Sequence, residues 1–225
     1  MTTKAERSRG MPRRRPIETP AAPSRLPLLI IGGVLAVVVI VALVVAFALG
    51  STPSSNVAEP AVRPLAVTGS TLPSFTDPAN DPAIGQTLPT LSGIGMDGQP
   101  LSISPGQGPM AIVVLAHWCS FCQAEVPQLV DYVEAGRLPE GVQLVALATG
   151  IDPTRPNFPP SSWLEREAWS GPTLIDDGSS SGLAALGLSS FPGFVFVDAD
   201  GQVAYRHTGA LGADAFGQLV EAIAP

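Results

Sequence analysis

Cys119 and Cys122 are the only two thiols in 225 residues. They stand in Trp118-Cys119-Ser120-Phe121-Cys122. Before them, residues 111–116 (AIVVLA) form an unbroken apolar run, as expected of a strand buried on both faces. After them, Val126, Leu129, Val130 and Val133 repeat at i, i+3, i+4 and i+7, the period of an amphipathic helix. The pair therefore sits where a buried strand hands over to a helix. Across a first helical turn, i and i+3 share one face, which brings two sulfurs close enough to bond. Cys119 falls at the helix N-terminus, where unpaired N–H groups and the macrodipole favour negative charge. Its thiolate should form more readily than that of a free cysteine, whose pKa is about 8.5. Cys122, inside the turn and more buried, suits a resolving thiol that attacks a mixed disulfide from within.

Other chemistries compete for the same residues. Zinc would need further ligands, and His117 and His207 are the only histidines. A structural disulfide would close too small a loop to gain much chain entropy. Two thiolates also suit Cu(I), with His207 as a further ligand, so a tethered metal-delivery module is the alternative to a redox enzyme. A thiol peroxidase would carry Pro and Thr in P-x-x-x-T-x-x-C, but Ile112 and Ala116 occupy those positions. His117 has two readings: an imidazole that tunes the thiol or relays its proton, or an exposed polar residue on the rim. The carboxylate of Glu125 reads as part of a solvated helix face. Trp163 and Trp169 read as packing residues.

The elements that position the pair follow from periodicity and turn residues. Residues 91–94 and 100–103 flank Asp97-Gly98 as a hairpin. Residues 142–148 form a second buried strand. Pro159-Pro160 and Ser162-x-x-Glu165 predict a turn and a capped short helix. Residues 172–175 and 182–187 predict a short strand and a short helix. Strands over 194–197 and 203–207 are joined by Asp200-Gly201. A last helix places Phe216, Leu219, Val220 and Ile223 on one face. Such alternation predicts an α/β fold with a mixed sheet.

Charge divides the chain. Residues 1–25 hold seven basic side chains against Glu6 and Glu18, for +5, whereas residues 51–225 hold five against seventeen acidic ones, for −12. The larger part would repel phosphate, so no nucleic-acid partner is expected. Residues 28–49 carry no polar side chain across 22 positions, and a helix of that length spans about 33 Å, enough to cross a bilayer. The basic cluster before it places the N-terminus in the cytoplasm. Ala46-Phe47-Ala48 resembles a cleavage site, but the apolar run exceeds a signal-peptide core. Arg13-Arg14-Arg15 fits positive-inside as well as a twin-arginine signal. The expected organisation is a basic cytoplasmic tail over 1–27, a transmembrane helix over 28–49, a Pro/Ser/Thr-rich linker over 50–81 and a folded domain over 82–225. That domain works outside the cytoplasm, where disulfide chemistry is permitted.

Residues 85–225 resemble the thioredoxin fold, and more closely the membrane-anchored TlpA-type thiol–disulfide oxidoreductases. The likeness rests on Trp118-Cys119-x-x-Cys122, Pro127 five residues later, Phe191-Pro192 before the strand at 193–197, and Asp200-Gly201 followed by Gly209. The early hairpin and the insertion over about 150–175 fit the TlpA type. The resemblance implies a cis Pro192 packed against the cysteines, with the Phe191 backbone free to pair with an extended substrate segment. An ordinary trans proline opening an edge strand is the other reading of that position. The resemblance also implies protein disulfides or dithiols as partners, no cofactor beyond the Cys119–Cys122 disulfide itself, no metal, and reduction as the favoured direction. The chain departs from the family at Val113, where thioredoxins carry a buried Asp, which leaves no buried carboxylate for the Cys122 proton. Phe121 stands where Pro is common, and Phe191 is bulkier than usual. With Trp118 shielding the sulfurs, the two phenylalanines read either as an apolar collar that selects partners or as packing.

Overall fold

The computed structural model describes residues 63–225. The expected tail, transmembrane helix and first part of the linker lie outside those residues. Among the described residues no helix is long and apolar enough to cross a membrane.

Strand β4 (Met110–Leu115) is buried at every position and forms the centre of a five-stranded sheet. It pairs in parallel with β5 (Gln143–Ala148), which pairs in parallel with β6 (Thr173–Ile175). On its other side it pairs antiparallel with β7 (Gly193–Val197), and β7 pairs antiparallel with β8 (Val203–Thr208). The spatial order is β6-β5-β4-β7-β8, the mixed α/β sheet expected from the alternation. Side chains alternate across a strand, so β4 feeds two cores. Val113 and Leu115 pack with Val126, Leu129, Phe216 and Val220 from helices α1 (Ser120–Glu134) and α4 (Ala213–Ile223). Ile112 and Val114 pack on the opposite face with Leu91, Ile103 and Leu186. The predicted hairpin is β2 (Thr90–Ile94) and β3 (Pro100–Ile103), paired from Ile94↔Pro100 to Leu91↔Ile103. Helix α2 (Pro160–Arg166) forms, but the Ser162/Glu165 capping box does not. The chain enters through Pro159 with no side-chain cap, three residues earlier than the box requires. Helix α3 (Ser181–Ala185) is the short helix after β6.

The linker expected to extend through residue 81 ends earlier, because the chain is already packed from Arg63. Ala66–Thr68 form strand β1, antiparallel to β2. Leu72 is buried, and Leu65, Val67 and Phe75 pack against the same core. The reason lies far away in sequence. Arg206 on β8 is fully buried and donates to the Pro73 and Leu186 carbonyls at 2.9 and 2.7 Å. Its guanidinium also pairs with the Asp81 carboxylate. Gly187 lies directly under this strap, and a Cβ there would stand 2.2 Å from the Pro73 oxygen. Prolines disfavour helix but permit an extended strap, and that strap is what a buried cation fastens here.

Candidate functional site

The chain leaves β4 through Ala116, turns over His117 and Trp118, and enters α1 with Cys119 as its N-cap. Cys119 N–H donates to the Ala116 carbonyl at 3.0 Å, and Gln123 N–H to the Cys119 carbonyl at 3.1 Å. The N-cap acceptor is usually a Ser, Thr, Asp or Asn oxygen. Here it is sulfur: Cys122 N–H points at Cys119 Sγ from 3.4 Å. Both thiols are free, so this is the dithiol form. Cys119 is 8% exposed and Cys122 is 0% exposed, so a partner meets Cys119 first. Burial pushes the Cys122 thiol far above its ordinary value; the neighbouring Cys119 and Glu125 add to the shift, and the Ala116 backbone opposes it. Pro127 lies inside α1.

Opposite the pair, the Phe191–Pro192 bond is cis. Pro192 is buried, and the Phe191 carbonyl accepts from the Cys119 thiol at 3.6 Å. Trp118 is half-buried and packs edge-on against Phe191, with ring centroids 5.8 Å apart at 88°. Its indole N–H donates to the Gly150 carbonyl at 2.7 Å. Phe121 projects into solvent, 64% exposed. Trp118 and Phe191 thus pack together beside the more accessible sulfur, and Phe121 lies exposed on the first turn of α1. The packing reading does not hold for Phe121, because its ring is not packed.

Two sequence expectations are corrected here. Glu125 is not on a solvated face: it is 0% exposed, and its carboxylate accepts from Gly212 N–H at 2.9 Å and Leu211 N–H at 3.2 Å, just before α4. A buried carboxylate does therefore accompany the cysteines, although Val113 replaces the Asp of thioredoxins. The signal was in the helix period, since Glu125 lies three residues after Cys122 and next to Val126 on the buried stripe. His117 is not a rim residue: it is 1% exposed. Its Nδ1 lies 2.7 Å from the Pro156 carbonyl oxygen and its Nε2 accepts from Asp152 N–H at 3.2 Å. Both ring nitrogens are engaged by the loop after β5, which leaves neither for a sulfur. His207 on β8 lies against the ring of Phe194, 6.3 Å between centroids. Among the described residues no group of three or more His, Cys, Asp or Glu could hold a metal ion, so His207 does not join the cysteines in a ligand set.

The family model for redoxin matches residues 68–222. No curated protein matches the chain. Among solved structures, the thioredoxin domain of a thiol-disulfide oxidoreductase from Bacteroides vulgatus is 18% identical. That match covers 64% of this chain and 99% of that one, with a TM-score of 0.51. At this identity the likeness concerns the fold. StoA from Bacillus subtilis is 16% identical over 61% of this chain and 98% of its own, with a TM-score of 0.49. A secreted disulfide oxidoreductase of Mycobacterium tuberculosis, homologous to DsbE of E. coli, is 24% identical over 58% and 94%, with a TM-score of 0.48.

Proposed function

Starting from a chain that belongs to the redoxin family, we propose that it reduces disulfides of partner proteins outside the cytoplasm, in the manner of the anchored TlpA type. Family and fold make it a thioredoxin-like thiol–disulfide oxidoreductase. The direction, the location and the roles of individual residues are our reading.

In this reading the Cys119 thiolate attacks one sulfur of a partner disulfide, which breaks that bond and releases a partner thiolate. A mixed disulfide now joins Cys119 to the partner. Cys122 then loses its proton and attacks Cys119 Sγ, which releases the second partner thiolate and leaves a Cys119–Cys122 disulfide. Two electrons pass from this pair to the partner, whose two thiolates take protons from water. The Cys122 thiol is raised by burial, so its proton needs an acceptor within the site. We assign that role to Glu125, one turn along the same buried stripe, whose charge is felt at the Cys122 thiol. Trp118, Phe121 and Phe191 receive the partner segment, beside the Phe191 carbonyl that meets the Cys119 thiol.

The observation that carries the reading is the asymmetry of the pair: one sulfur at a helix N-cap within reach of the Phe191 carbonyl, the other sealed behind it. Full-length protein is expected to reduce insulin disulfides in dithiothreitol, and Cys119→Ser to lose that activity. Unchanged activity in Cys119→Ser would refute the mechanism. The location rests on residues 28–49 and the basic cluster before them. A phosphatase that folds only outside the cytoplasm, fused after Pro225, is expected to be active; an inactive fusion would refute the topology.

A further inference from the structure

His117 takes no part in the exchange steps above, yet it is buried one residue from Trp118 and two from Cys119. Its partners fix its proton. The Pro156 carbonyl can only accept, so Nδ1 carries the hydrogen; Asp152 N–H can only donate, so Nε2 is bare. The ring fits its site as one tautomer of neutral imidazole. An imidazolium would carry N–H on both nitrogens and set a donor against the Asp152 donor.

We propose that His117 is a positioning residue: as neutral imidazole it latches the loop over residues 150–156 onto Trp118 and keeps the surface beside Cys119 assembled, and protonation releases the latch. The consequence for exchange rests on the function proposed above; the latch itself does not. The loop carries what holds Trp118. The Gly150 carbonyl accepts from the indole N–H at 2.7 Å, and the Arg155 guanidinium lies 4.4 Å above the ring. Trp118 in turn packs on Phe191, whose carbonyl meets the Cys119 thiol. The charged group in electrostatic contact with the imidazole is Asp152 on the loop; Arg155 of the same loop lies over Trp118, and Arg166 on α2 donates to Asn157 Oδ1 at 3.0 Å. Cys119 is the titratable group on its own turn. Helix α1 contributes the uncharged Gln123, which donates to the His117 carbonyl at 3.2 Å. The Phe158 ring stands edge-on at 5.9 Å. Asp152 supplies the release. Its carboxylate lies within electrostatic reach of the ring and is tied to Thr154 N–H and Oγ1 at 2.9 and 2.7 Å. A proton arriving on Nε2 exchanges the Asp152 N–H for that carboxylate, and residue 152 must turn to present it. Gly150, two residues before, moves with it.

Acrylamide quenching of tryptophan emission in the full-length protein tests this, because Trp163 and Trp169 are buried and Trp118 is half-buried. The Stern–Volmer constant of the wild type is expected to rise about two-fold between about pH 8 and about pH 5. His117→Gln keeps an acceptor near the place of Nε2 but does not titrate, so its constant should stay at the low value throughout. The cysteines are the same in both proteins, so their titration cancels in the comparison. A flat wild type, or a His117→Gln protein rising in parallel, would overturn the proposal. If His117→Gln does not fold, long-range 1H–15N spectra of the wild type at about pH 8 decide: the Nδ1–H tautomer supports the latch and the Nε2–H tautomer overturns it. Failure of the exchange reading would show in insulin reduction and leave these measurements untouched.

Discussion

Replacing Glu125 with Gln separates two roles that the buried carboxylate could play. The side chain keeps its shape, but only one end remains an acceptor. The amide oxygen can still take the stronger bond, from Gly212 N–H at 2.9 Å. The amide nitrogen then faces Leu211 N–H, which loses its acceptor at 3.2 Å. One unsatisfied buried donor costs about 1–3 kcal/mol, so the variant should fold with reduced stability. The kinetic sign is more informative. The charge of Glu125 helps to hold the Cys122 thiol high. If charge were its whole effect, neutralising it would ease ionisation of Cys122 and speed resolution. If Glu125 accepts the Cys122 proton, resolution slows by about 10²-fold, the lower end of general-base contributions. The assay is single-turnover exchange with a disulfide peptide, quenched with acid and resolved by mass, which counts the mixed disulfide on Cys119. We expect that species to accumulate in Glu125→Gln and to stay at trace levels in the wild type. Unchanged or faster resolution would refute the assignment of Glu125 as base.

Cys122→Ser should trap partners as a stable Cys119-linked mixed disulfide, visible on non-reducing gels; absence of such adducts would mean that Cys119 is not the attacking sulfur. Phe121→Ser removes a solvent-exposed ring, so stability should stay within about 0.5 kcal/mol while KM for a protein disulfide rises and the rate with dithiothreitol is unchanged. Arg206→Ala strands a buried carboxylate and should cost about 3–5 kcal/mol at neutral pH. Its pH dependence should also reverse. In the wild type, burial pushes the Asp81 carboxyl up, but its bonds to Arg206 and Ala83 N–H and the Arg206 charge outweigh that and leave it below 3.8. That contribution is present above the ordinary carboxylate value and is lost as pH falls through the lower folded one. Without Arg206 only burial and one N–H remain, so urea melts of the variant should gain stability as the medium acidifies from neutrality. A variant that instead loses stability in step with the wild type would contradict the role given to the ion pair.

The parts of the fold that were legible are those written in side-chain periodicity. The runs AIVVLA and VQLVALA read as buried strands and became β4 and β5, and the i, i+3, i+4, i+7 stripes became α1 and α4. Strand β1 was not legible, because three residues in a proline-rich stretch show no period, and its anchor, Arg206, lies more than 130 residues from Pro73. Glu125 was misplaced because its charge was weighed and its position on the stripe was not. The loop around His117 was invisible for a different reason. It acts through the Gly150 and Pro156 carbonyls and the Asp152 N–H, backbone groups that almost any sequence would offer. The cysteines needed no such help, since spacing and context together placed one sulfur at the cap and the other in the core.

The account turns on whether these two sulfurs cycle as a reducing couple. Equilibrating the full-length protein in dithiothreitol redox buffers, with Trp118 emission as the readout, measures this directly. A single two-electron transition at about −250 mV or lower is predicted. A midpoint near about −120 mV would mark an oxidant, and the absence of any two-electron transition would contradict the exchange mechanism itself.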